Sequence, residues 1–117
     1  MSYQVRTKDL LRVLSAAFVV AVSASAFAAV DAEAAKATAR QNNCFKCHSV
    51  EKDKDGPSYK KVAAKYRDKP DAEQRLITHI TTGEKAKFPD GHEEDHKIIK
   101  TKYMAEIKNL IGWILSQ

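Results

Sequence analysis

An all-α domain is the prediction of this sequence, on three observations. Apolar residues recur at helical spacing in several segments, no run alternates apolar and polar residues for long enough to argue for a strand, and the first 28 residues read as an address label rather than fold.

The leader comes first. Met1 to Arg12 carries Arg6, Lys8 and Arg12 against the single Asp9, and an apolar run from Val13 to Val22 follows, closed by Ala26-Phe27-Ala28, a small-x-small pattern. Ser15, Ser23 and Ser25 break the apolar stretch, which is shorter than the roughly 20 residues a spanning helix needs. Cleavage is therefore expected after Ala28, with residues 1–28 a secretory signal peptide, residues 29–117 the mature domain, and no stable membrane insertion after cleavage. An uncleaved N-terminal anchor is the alternative, and it too implies export.

The formal net charge of +5 falls to about +3 without the leader, leaving 17 Lys and Arg against 14 Asp and Glu. The lysines are scattered among acids and form no basic arm, so nucleic-acid binding finds no support. A domain of 89 residues buries a modest fraction of its surface, and such domains commonly lean on a disulfide, metal or cofactor. A monomer is expected.

The first helix should start near Asp31, whose carboxylate can cap exposed amides, and run through Ala32, Ala35, Ala39 and Arg40. Its inward face is mostly alanine, so something bulkier must fill the core beside it. After a polar loop, Gly56-Pro57 leads to a short helix from about Ser58 to Tyr66, with Val62, Ala63 and Tyr66 on one side. Pro70-Asp71 opens the third helix, where Pro fits the first turn; Leu76, Ile77 and Ile80 recur until Thr82-Gly83 ends it, and His79 is expected to face water. The last helix is expected from about Thr101, with Met104, Ile107, Leu110, Ile111, Ile114 and Leu115 as its buried stripe and Trp113 beside them. Between Gly83 and Thr101 lies a long loop with Pro89-Asp90-Gly91 turn chemistry and both His92 and His96.

Cys44-Phe45-Lys46-Cys47-His48 holds both cysteines of the chain, and C-x-x-C-H is the attachment signature of a c-type haem. Two thiols three positions apart can form thioethers with the two vinyl groups of one porphyrin while the adjacent imidazole reaches the iron. A redox-active C-x-x-C usually follows a strand, and none precedes Cys44; a Cys₂His zinc site would need a fourth ligand. One covalently bound haem c is thus the expected cofactor, with Cys44 and Cys47 as anchors and His48 as proximal ligand.

With these features in place, the segment from Ala34 to Gln117 resembles the class I c-type cytochromes of the small bacterial monohaem kind. The resemblance rests on the helix before Cys44, the C-x-x-C-H, Gly56-Pro57 soon after His48, Val62-Ala63-Ala64-Lys65-Tyr66, and a terminal helix ending Trp113-Ile114-Leu115-Ser116. It implies about four short helices wrapped around one haem, a periplasmic electron carrier rather than an enzyme, and a Pro57 carbonyl that accepts a hydrogen bond from the free ring nitrogen of His48.

The sequence departs from the family at the sixth ligand, because the methionine followed by prolines is missing. His96, counted back from Trp113, stands within about a residue of that position and is favoured. Met104 and His92 are its rivals, and an open distal site is the remaining possibility. A second imidazole in place of methionine lowers the iron potential.

Redox proteins are the expected partners. Lys46, Lys52, Lys54, Lys60 and Lys61 could steer acidic ones, although Glu51, Asp53 and Asp55 are interleaved among them. The alternative function is a haem-based gas-binding or sensing protein, which requires the histidine-bearing loop to swing away from the iron.

Overall fold

The computed structural model describes residues 29–117, so the expected signal peptide and its cleavage point after Ala28 lie outside the described residues. Four α-helices dominate: α1 (Ala32–Gln41), α2 (Tyr59–Tyr66), α3 (Ala72–Thr82) and α4 (Met104–Leu115). A 3₁₀ turn, Cys44–Lys46, lies between α1 and α2, and two short strands, β1 (Lys85–Lys87) and β2 (Glu93–Asp95), lie between α3 and α4. No helix among the described residues is long and apolar enough to cross a membrane.

Asp31 caps α1, its carboxylate accepting from Ala34 N at 3.0 Å. The same residue is clamped to α4 from both sides of its backbone: Asp31 N donates to Asn109 Oδ1 at 2.8 Å, and Asn109 Nδ2 donates to Asp31 O at 2.9 Å. Ala35 and Ala39 are fully buried, and their small side chains let α4 lie close against α1. The bulk comes from α4 itself, through Ile107, Leu110, Ile111, Trp113 and Ile114, each contributing about 1.5–3 kcal/mol by leaving water. Because α4 also packs on α2 and α3, it is the central beam of the domain.

Helix α4 begins three residues later than Thr101. Tyr103 N donates to Thr101 Oγ1 at 3.2 Å, a local side-chain turn that competes with helical bonding and delays the helix to Met104. Met104 consequently is not part of the buried stripe: as the first residue of α4 it is 47% exposed, while Ile107 and Ile111 below it are buried. Pro70 likewise sits before α3 rather than in its first turn. Ala72 N donates to Lys69 O at 3.1 Å, which places Pro70 at the second position of a tight turn, where its fixed φ is favourable. Gly83, at φ 69°, ends α3 in the left-handed conformation.

Among the described residues the strand pair is the one departure from a purely helical pattern. Lys85, Ala86 and Lys87 face Asp95, Glu94 and Glu93 in antiparallel register. Apolar alternation could not signal these strands, because their cross-strand partners are matched by charge: Lys85 Nζ lies 2.7 Å from Asp95 Oδ1. Phe88 N donates to His92 O and Gly91 N to Phe88 O, both at 2.9 Å, closing a three-residue Pro89-Asp90-Gly91 loop with Gly91 at φ 93°.

Candidate functional site

A cavity of about 620 Å³ opens between the 3₁₀ turn, α2, α3, α4 and the segment around the strand pair. Its volume falls within the roughly 300–1,000 Å³ usual for cofactor and ligand sites. Leu76, Ile80, Ile99, Leu110 and Ile111 give it apolar walls.

One wall is built by the chain from Asn43 onward. Asn43, in the left-handed region at φ 56°, ends the run from α1 and starts the 3₁₀ turn. His48 N donates to Cys44 O at 3.0 Å, so the turn brings Cys44, Cys47 and His48 together on the cavity lining. Both cysteines are partly buried, and burial pushes the Cys44 thiol up, opposed by the neighbouring Tyr59 hydroxyl. His48 Nδ1 lies 2.7 Å from Pro57 O; donating there, it leaves Nε2 with the lone pair. Burial holds the pKa of His48 below its ordinary value, which favours the neutral imidazole that a metal requires.

Two neighbours fix the plane of this ring. Tyr59 stacks on it, with centroids 5.2 Å apart and planes at 17°, and is itself braced edge-on by Trp113 at 5.5 Å and Phe45 at 6.2 Å. On Gly56 a Cβ would fall 2.5 Å from His48 Cε1 and 2.8 Å from Nδ1, so the ring occupies the place where any other residue would carry its side chain. The pairing of Gly56 with Pro57 is visible in the sequence; this steric reason for the glycine is not.

The opposite wall carries two histidines. His96 is partly buried, and its ring centre lies 6.3 Å from that of His48. Two metal–imidazole bonds of about 2.0–2.1 Å plus the distance from nitrogen to ring centre in each imidazole amount to about this separation. His96 Nδ1 lies 2.9 Å from Lys97 O, so its Nε2, like that of His48, is the nitrogen left for a metal. Burial and then the neighbouring His79 hold the pKa of His96 below its ordinary value. Three bonds anchor its segment: His96 N to Glu84 O at 3.0 Å, Ile99 N to Ile80 O at 2.8 Å, and Lys100 N to Asn42 Oδ1 at 2.7 Å.

The second histidine corrects the sequence reading. His79 does not face open water but lines the cavity, its ring centre 4.1 Å from that of His96. Its spacing held the signal: three residues after Leu76 and one before Ile80, it shares the apolar face of α3. Glu84, returned by the turn at Gly83, lies 2.6 Å from His79 Nδ1 and 2.6 Å from Arg75 Nη1.

His92 and Met104 stand elsewhere. His92 is exposed, stacked on Phe88 at 4.3 Å and paired with Asp90 and Glu94, and neither it nor Met104 lines the cavity. Among the lysines near Cys44, Lys60 is paired with Glu51 and Lys61 with Asp53, while Lys54 Nζ donates to Phe45 O at 2.7 Å.

Paired thiols three positions apart, an adjacent imidazole with an oriented ring, and apolar walls together fit one covalently held haem. Comparison with known proteins agrees. Residues 32–117 match the family model described as Cytochrome c. Cytochrome c-551 of Allochromatium vinosum is 36% identical over 83 residues, 66% of this chain and 79% of that protein. Cytochrome c-552 of Nitrosomonas europaea is 34% identical over 102 residues, 82% of this chain and 86% of that one. Among solved structures, the Class 1 cytochrome MtoD from Sideroxydans lithotrophicus ES-1 superimposes with a TM-score of 0.73 at 70% identity, over 75% of this chain and 97% of that one. The wild-type Nitrosomonas europaea cytochrome c552 superimposes with a TM-score of 0.53 at 36% identity, over 74% and 98%.

Proposed function

The chain belongs to the cytochrome c family and is an electron carrier with a covalent haem c, and from that premise we propose that it works with two histidine ligands, His48 and His96, as a low-potential carrier of the periplasm. The observation that carries this reading is the pair of rings facing each other across the cavity at 6.3 Å, each with Nδ1 engaged by a backbone carbonyl.

The haem iron supplies a reversible one-electron change. The residues of the chain do the rest. Cys44 and Cys47 hold the porphyrin through their sulfurs, and the Pro57 carbonyl, accepting from His48 Nδ1, orients the ring and makes Nε2 a better donor. Lys97 O performs the same service for His96. Leu76, Ile80, Ile99 and Ile111 exclude water from the site. A second imidazole in place of a thioether favours ferric iron and lowers the potential.

The three backbone anchors around His96 speak for a closed, six-coordinate site and against the gas-binding alternative, which needs that segment to move away. Export follows from the leader, with cleavage after Ala28; the mass of protein recovered from the periplasm checks it. Partners are redox proteins. Acidic ones would meet Lys46 and Lys52, which make no ion pair among the described residues, unlike Lys60 and Lys61.

Substituting His96→Met tests the axial pair directly. The variant should gain a thioether-to-iron charge-transfer band and a raised potential. If both the spectrum and the potential stay as in the wild type, His96 is not the ligand.

A further inference from the structure

We propose that His79 is a reserve ligand for the haem iron, positioned to replace His96 when that bond breaks. The inference rests on the reading of His96 as the distal ligand.

Four observations lead to it. His79 lines the same cavity as Cys44, Cys47, His48 and His96. Its ring centre is 4.1 Å from that of His96, a shift that rotation about the two side-chain bonds of a histidine can cover. Its Nδ1 donates to Glu84 Oε1 at 2.6 Å, so the neutral ring carries its lone pair on Nε2, and no hydrogen bond occupies that nitrogen among the described residues. Finally, Glu84 is itself held by Arg75 at 2.6 Å, which completes the arrangement of carboxylate, histidine and metal that fixes the tautomer and raises the basicity of metal-bound imidazoles.

Glu84 also ties the two histidines together, since its backbone carbonyl accepts from His96 N at 3.0 Å while its side chain holds His79. Exchange of ligands needs no electron: the iron–Nε2 bond of His96 breaks and one to Nε2 of His79 forms. His79 rides on α3, which packs against α4, whereas His96 sits on a segment between β2 and α4. A helical residue therefore backs up one on an irregular segment. The chain would then stay six-coordinate through a disturbance that releases His96, and the iron would remain closed to small ligands.

The test uses haem-loaded protein and four chains: wild type, His79→Ala, His96→Ala and the double variant, read by ferric EPR and by binding of carbon monoxide to the ferrous form. His79→Ala should keep the wild-type g-values. His96→Ala should remain low-spin with g-values displaced from wild type, as a ring held in another plane requires, and should take up carbon monoxide at least tenfold more slowly than the double variant. The double variant should be high-spin, and added imidazole should return it to low-spin, which shows that its pocket is folded. If His96→Ala is as high-spin and as reactive as the double variant, the reserve role of His79 is overturned while the assignment of His96 stands. If His96→Ala keeps wild-type g-values, His96 was never bound, and the axial pair proposed above fails together with the reserve role. A double variant that stays high-spin with imidazole added also overturns the proposal, because the two histidines are then needed for the pocket itself.

Discussion

The proximal wall of the cavity draws Cys44, Cys47, His48, Gly56, Pro57 and Tyr59 from one short stretch of chain, whereas the distal wall gathers His79 and Glu84 from the end of α3, His96 and Ile99 from beyond the strand pair, and Asn42 from the end of α1. Steric contact locks the first. The His48 ring lies against the Cα of Gly56 on one side and stacks on Tyr59, which Trp113 and Phe45 brace in turn. Hydrogen bonds between distant residues hold the second, through Glu84 O, Ile80 O and Asn42 Oδ1. Close packing tolerates almost no change of volume, while a set of separate hydrogen bonds can lose one member and keep its shape. The proximal side should therefore fail abruptly and the distal side should be tunable.

Trp113→Ala breaks this contrast most severely if it is wrong. Removing a ring that is 4% exposed and braces both Tyr59 and Phe45 should cost about 3–5 kcal/mol in denaturant unfolding of the haem-loaded protein. A loss no larger than the about 0.5 kcal/mol typical of surface changes would show that the proximal wall is not held by packing. Gly56→Ala comes next. Its methyl group collides with the His48 ring and should cost about 1–3 kcal/mol, together with a displaced His48 visible as altered EPR g-values. An unchanged spectrum would mean that the ring has room to yield.

On the distal side Asn42→Ala should cost only about 1 kcal/mol, since it removes the hydrogen bonds to Lys100 N and Thr38 O at a partly exposed position. Carbon monoxide should nevertheless displace the distal ligand measurably faster, because one of three anchors is gone; an unchanged rate would place the control of the distal segment elsewhere.

The smallest effect concerns His92. Hydrogen bonds first with Asp90 and then with Glu94 raise its pKa above the ordinary 6.5. Its contribution to stability is fully present below the unfolded value and is lost as pH rises through the folded one. The difference in stability between wild type and His92→Gln should therefore shrink above pH 6.5, and an NMR titration of His92 should show a midpoint above that value. Electron transfer should not change, because His92 lies outside the cavity.

Local chemistry wrote much of this protein legibly into its sequence. Asp31 and Ser58 cap helices with their own side chains, Gly83 ends one with a positive φ, and the spacing of Cys44, Cys47 and His48 places two sulfurs and an imidazole on a single turn. Each of these depends on neighbours within a few residues, so reading along the chain is enough to find it. Tertiary structure alone decided the rest. It carried His79 into the cavity through the packing of α3, paired Lys85 with Asp95 across a loop, and pressed the His48 ring against Gly56. Those outcomes depend on which surfaces meet after folding, and residues distant along the chain decide that, not the residue in question or its neighbours.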